Sequence, residues 1–136
     1  MRKPILCLDF DGVIHSYQSG WQGAAIVPDL PVPGAMRFIA EATQRFQVAI
    51  FSSRSNQPGG LEAMRGWLTM FMMNEIEDRK DCAEILAKID WPTEKPPALV
   101  TIDDRAITFT GVWPTLDEIA AFQPWNKKPK QKVGAL

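Results

Sequence analysis

Ile5-Leu-Cys-Leu-Asp9-Phe-Asp11-Gly12-Val13 decides the fold of this chain. A short apolar run meets an acid at Asp9, and a second acid, Asp11, stands before glycine two residues later. Ile5 to Phe10 therefore predicts a buried strand, interrupted only by Asp9 and ended by a turn at Asp11-Gly12. A lone carboxylate buried among Leu6, Cys7, Leu8 and Phe10 would cost several kcal/mol unless it is paired or holds a cation.

The same pattern recurs twice further on. Gln47 to Phe51 predicts a second buried strand, halted at Ser52-Ser53-Arg54, and Ala98 to Ile102 a third, ending on Asp103-Asp104-Arg105. Between them the spacing predicts helices. Pro33-Gly34 opens one that runs to Phe46, with Ala35, Phe38, Ile39 and Ala42 at helical intervals. Gly59-Gly60 precedes another, with Leu61, Met64, Trp67, Leu68 and Phe71 on one face, and a further helical stretch is expected from Glu75 to Ile89. Trp91 to Pro97 predicts a loop and Ile107 to Val112 a fourth strand. Thr115 to Phe122 predicts a last helix, with Thr115 as N-cap and Glu118 completing a capping box. His15 to Pro33, with Gly20, Gly23, Pro28, Pro31 and Pro33, is long for a structureless connection, which hints at function.

Strands alternating with helices imply an α/β, three-layer, Rossmann-like sandwich with a mainly parallel sheet. In such sheets ligands bind beyond the carboxyl ends of the strands. Three predicted strands end there in Asp9/Asp11, Ser52/Arg54 and Asp103/Asp104. Taken singly, Asp11-Gly12 is a turn and Asp103-Asp104 a helix cap. Taken together, carboxylates meeting at one edge repel one another, and a hard divalent cation relieves this. An all-oxygen donor set points to Mg2+. Carboxylates, a hydroxyl and an arginine around magnesium describe a phosphoryl-transfer site.

These residues resemble a known family. Asp9-Phe-Asp11-Gly12-Val13 is similar to the first motif of the haloacid-dehalogenase-like phosphatases, Ser52 to their second, and Asp103-Asp104 to their acidic fourth motif. The resemblance spans residues 5 to 105 and implies a magnesium-dependent phosphomonoester hydrolase that forms a phosphoaspartate. It implies Asp9 as nucleophile and metal ligand, and Asp11 as general acid/base that offers its backbone carbonyl to the metal. Ser52 would hold the transferring phosphoryl group, and Asp103 and Asp104 would hold the metal directly or through water. The third motif is a lysine, assigned to Lys95 rather than to Lys80 or Lys88, which lie on a helical pattern. Ser52-Ser53-Arg54 and Asp103-Asp104-Arg105 also resemble the phosphatase half of bacteriophage polynucleotide kinase/phosphatase. That implies substrate contacts from Ser53 and from Arg54, whose fork would grip a phosphate oxygen. The segment from His15 to Pro33 is too short for a cap domain. His15 either touches substrate or is an ordinary loop histidine, and Tyr17 and Trp21 either stack on a base or close the loop.

The chain has 136 residues, enough for one domain with its own core. That domain is expected over 1–125, followed by a basic tail over 126–136 with Lys127, Lys128, Lys130 and Lys132. A net charge of −1 gives no overall field favouring nucleic acid, although the tail is a possible polyanion contact. The expected partner is a phosphorylated small molecule or nucleotide. A 3′-end polynucleotide or nucleotide phosphatase is the alternative within enzymes, and a non-catalytic phosphate- or metal-binding module the alternative of another class. A receiver-like signalling domain is disfavoured because its acidic pair precedes the phosphorylated Asp. Cys7 and Cys82 have no metal-type spacing, and the apolar start is too short for a signal peptide. No run approaches the roughly 18 apolar residues of a membrane span. A cytoplasmic location is the expectation.

Overall fold

A computed structural model describes residues 2–127. It is a mixed α/β fold with a four-stranded, all-parallel sheet. In chain order the elements are β1 (Ile5–Leu8), α1 (Ala35–Ala42), β2 (Gln47–Ile50), α2 (Gly60–Glu75), α3 (Arg79–Ala87), β3 (Ile89–Asp90), β4 (Val100–Ile102) and α4 (Leu116–Ala120). A 3-10 turn follows at Trp125–Lys127. The sheet order is β3-β2-β1-β4, with Leu8 in register with Ile50 on one side and Ile102 on the other.

Alternation along the strands sorts residues onto two faces. Leu6, Leu8, Val48, Ile50 and Ile89 point to one face, where they form a single cluster with Met36 and Ile39 of α1, Met64, Trp67, Leu68 and Met72 of α2, and Cys82 of α3. Cys7 and Ala49 point to the other face and are also buried. The crossovers β1→β2 and β2→β3 step across the sheet in one direction. Being right-handed, they place α1, α2 and α3 on one side. The step β3→β4 runs back past β2 and β1 through the Trp91–Leu99 connection. The order therefore reverses between β1 and β4, which opens a crevice at their carboxyl ends.

Two sequence expectations change. Ile107 to Val112 is not a strand. Its residues are exposed and have no strand partner among the described residues, and Gly111 sits at φ 97°, outside any strand conformation. The helix expected to reach Ile89 stops at Ala87, and Ile89–Asp90 instead pairs with Val48–Ala49 as an edge strand. Cys82, Ile85, Leu86 and Ile89 keep helical spacing throughout, so periodicity alone could not find this break. The capping box of α4 forms as expected, with the Glu118 N–H donating to Thr115 Oγ1 and the Thr115 N–H to Glu118 Oε2.

Asn126, in the 3-10 turn, donates its side-chain amide to the Ser16 carbonyl at 3.2 Å. The rest of the basic tail, 128–136, lies outside the described residues. Both cysteines are buried thiols. No described helix is long and apolar enough to cross a membrane.

Candidate active site

Asp9 directly follows β1 and Asp103 directly follows β4, so the two acids flank the crevice. The Asp9 N–H donates to the Ile102 carbonyl at 3.0 Å, which extends the ladder to the brink of the site. Asp9, Asp103 and Asp104 each offer a carboxylate oxygen within 4.8 Å of the others. Burial pushes the Asp9 carboxyl up to about 8, helped by its hydrogen bond to Asp104 and the charges of Asp103 and Asp104. One of Asp104's oxygens, Oδ1, is buried with no hydrogen-bond partner. An all-oxygen cluster that crowds negative charge, with one oxygen left orphaned, fits a hard divalent cation.

Gly12 is fixed between these groups. Its φ of 82° lies in the left-handed region, and a Cβ there would overlap the Asp104 carboxylate. Its N–H donates to the His15 carbonyl at 2.8 Å, while its own carbonyl accepts the Trp125 indole N–H at 2.7 Å. In a trans peptide the Asp11 carbonyl points opposite to the Gly12 N–H, so it faces away from His15.

The Asp11 carboxylate stands apart from the three-acid cluster. Oδ2 accepts from Arg54 Nε at 2.8 Å, and Oδ1 lies 2.9 Å from His15 Nδ1. The Asp29 backbone N–H donates to His15 Nε2 at 3.0 Å, so that nitrogen carries no proton and Nδ1–H donates to Asp11. Burial alone would raise the Asp11 carboxyl. The hydrogen bonds from His15 and Arg54, with the guanidinium charge, outweigh burial and hold it below the usual carboxylate range. Asp11 is thus held as an ionised acceptor by His15 and Arg54.

His15 is a correction. The sequence left open a substrate contact, but the ring is 0% exposed and both nitrogens are engaged within the fold. It stacks on Phe10 and meets Trp67 edge-on, so it supports Asp11 from beneath. Arg54 is likewise fully buried. Its Nη1 donates to the carbonyls of Gly23, Ala24 and Ile26 at 2.9–3.0 Å, and its guanidinium lies 4.8 Å from the Trp21 ring centre. The sequence pointed to a substrate grip. The structure gives most of the fork to Asp11 and the loop, leaving only Nη2 without a partner. Nη2 projects from the same edge of the guanidinium as Nε, beside Asp11.

Arg54 and His15 explain why the long first connection is ordered. His15 closes its neck by bridging Pro31, the Ser16 N–H donates to the Leu30 carbonyl, and Asp29 accepts from both Ser19 N–H and Ser19 Oγ. Trp67 Nε1 on α2 donates to the Asp29 carbonyl. Tyr17 adopts φ 60°, rare for a residue with a side chain, and its hydroxyl feels the charges of Asp11 and Asp104. Trp21 closes over Arg54 with its other side open, at 48% exposure.

Ser52 stands two residues past the end of β2 and is buried. Its Oγ accepts the Arg54 N–H at 3.2 Å, which orients the hydroxyl and leaves its proton free to donate. Ser53 is exposed on the same turn. Arg105 stays 60% exposed in a long 3.9 Å pair with Asp104. Lys95 is exposed and makes no hydrogen bond or ion pair among the described residues. It lies five residues past the carboxyl end of β3, on the connection to β4. Burial pushes the Cys7 thiol up, and the Lys95 charge is among the influences opposing this. Lys88 caps α3 immediately before β3 and so sits at the amino edge, the wrong end of the sheet.

The support from His15 and Trp125 was missed in the sequence. The i, i+4 spacing of Asp11 and His15 was a usable signal, whereas nothing local ties Trp125 to Gly12 across 113 positions. Compared with protein-family models, with curated proteins and with solved structures, the chain matches none.

Proposed function

We propose that the chain is a magnesium-dependent phosphomonoester hydrolase of the haloacid-dehalogenase-like kind, working through a phosphoaspartate on Asp9. The observation that carries this reading is the meeting of Asp9, Asp103 and Asp104 at the crevice, with an orphaned oxygen on Asp104. A three-layer, capless sandwich and a cytoplasmic setting belong to the same reading. Asp9, Asp103 and Asp104 would hold Mg2+, with the Asp11 backbone carbonyl. When bound, the ion neutralises the clustered carboxylates and the phosphoryl oxygens.

An Asp9 oxygen bonds to phosphorus as the ester P–O bond breaks, and the departing alcohol takes a proton from solvent water. Water then attacks the acyl phosphate, Asp11 accepts its proton, and inorganic phosphate leaves with Asp9 regenerated. Because His15 and Arg54 hold Asp11 ionised, its place is in this second half rather than the first, and the proton it takes passes on to solvent. The Ser52 hydroxyl and Arg54 Nη2 supply donors for phosphoryl oxygens, and Lys95 supplies the remaining positive charge.

Within this class, a nucleotide is favoured as substrate by one feature. The open side of Trp21 lies one guanidinium away from Asp11 and offers a shelf for a flat ring. The test of the class is hydrolysis of an aryl phosphate with and without Mg2+. Wild type is expected to turn over only with the metal, and Asp9→Asn to lose at least about 10³-fold in kcat. Undiminished turnover by Asp9→Asn, or in chelator, excludes the mechanism.

A further inference from the structure

We infer that Trp125 is a positioning residue for the metal site, and that the C-terminal turn is a built part of that site. The inference rests on the proposed magnesium-dependent reading. Trp125 and Gly12 are 113 positions apart, yet the indole Nε1–H donates to the Gly12 carbonyl at 2.7 Å. The next residue, Asn126, donates to the Ser16 carbonyl, and Pro124 before them is buried. Two successive side chains thus grip the nucleophile loop on either side of His15.

Gly12 is the point where that grip reaches the acids. Its left-handed backbone is held by the His15 carbonyl on one side and Trp125 on the other, and its Cα faces the Asp104 carboxylate without room for a Cβ. The bond from the Gly12 N–H to His15 fixes the peptide that carries the Asp11 carbonyl, and the indole bond fixes the next peptide. Together they set both dihedrals of Gly12 and so hold its Cα against Asp104; freeing the second peptide lets Gly12 shift and displaces Asp104, which is assigned to the cation. Trp125 itself is 55% exposed, so its ring adds less packing than a core residue would. Its contribution is directional.

Magnesium affinity is the readout, because a merely structural role would lower stability without moving it. Mg2+ is titrated calorimetrically into wild type, into Trp125→Phe, which keeps a ring and loses the N–H, and into Trp113→Phe as a control on an 81% exposed indole. One hydrogen bond translates into a roughly two- to tenfold weaker Mg2+ affinity for Trp125→Phe, with Trp113→Phe matching wild type. In wild type the Trp125 indole N–H resonance, identified by its loss in Trp125→Phe, is expected to shift on adding Mg2+. Wild-type affinity in folded Trp125→Phe overturns the positioning role alone. A wild-type chain that binds no Mg2+ overturns the reading of the site and this inference with it.

Discussion

Residues 5–90 and residues 99–122 are built to different standards. Every buried member of the main hydrophobic cluster lies between Leu6 and Ile89. Beyond it, Leu99, Val112, Trp113 and Leu116 are each more than two-thirds exposed, and α4 buries no residue. β4 pairs with β1 but leaves Val100 and Ile102 substantially open. The crevice lies between these regions. Asp9, Asp11, Ser52 and Arg54 stand on the packed side, and Asp103 and Asp104 on the sparsely packed one. A cation shared by Asp9, Asp103 and Asp104 would join the two, and so would the Trp125 contact.

The largest contrast is expected from paired arginine substitutions. Arg54→Met removes a fully buried partner of Asp11, leaves that carboxylate with His15 alone and frees the Gly23–Ile26 carbonyls, which should cost about 3–5 kcal/mol in urea unfolding. Arg105→Met, on the sparse side with a 3.9 Å exposed pair, should stay within about 0.5 kcal/mol. Equal losses would break the distinction between the regions.

The pH dependence of the metal-free chain sharpens it next. Asp9, raised to about 8, holds a proton in the folded state that the unfolded chain has lost above the ordinary carboxylate range. Folding then binds more protons than unfolding, so this group's contribution falls as pH rises from about 4 to about 8. Asp11 is shifted the other way, and its contribution is lost only in acid, as pH falls through its lowered value. The melting temperature in chelator should therefore decline between pH 5.5 and 8, and the stabilisation by Mg2+ should grow over the same span. A metal effect that is flat across that range would remove Asp9 from the ligand set.

Hydrogen exchange locates the join. Mg2+ at a hundredfold excess over its Kd stabilises the bound state by about 2.7 kcal/mol. Protection should rise more for amides 100–106 than for β1 and β2, which the core already holds. A uniform increase would mean that the sparse side does not depend on the cation. The smallest effect is Thr115→Ala, which deletes the cap of α4 at a local cost of about 1 kcal/mol. It should quicken exchange in α4 while leaving the unfolding midpoint of the sheet unchanged.

The same contrast governs what could be read from the chain. Strands β1 and β2 and helices α1 and α2 were legible because each carries a complete apolar face on the packed side. Thr115-Leu-Asp-Glu118 gave α4 through local capping chemistry alone, with no tertiary support. Ile107 to Val112 has a strand's alternation, but propensity does not make a strand without a partner. The short β3 was hidden because Ile89 extends the helical spacing of α3. In the site, the strand-end acids could be seen because burying Asp9 demands a reason. The inward roles of His15 and Arg54 could not, since they depend on where Asp29 and the Gly23–Ile26 carbonyls arrive in space. Lys95 was placed by motif order, and the return of its connection past β2 and β1 follows only from the strand order.

The most direct test of the proposed phosphoaspartate is to trap it. Wild-type chain turning over a phosphomonoester with Mg2+ is quenched in acid and reduced with borohydride, which converts an aspartyl phosphate to homoserine. Peptide mass spectrometry should then find homoserine at position 9 and at no other aspartate. Active turnover with Asp9 left unmodified, or with homoserine at Asp11, Asp103 or Asp104 instead, would contradict Asp9 as the residue that takes the phosphoryl group.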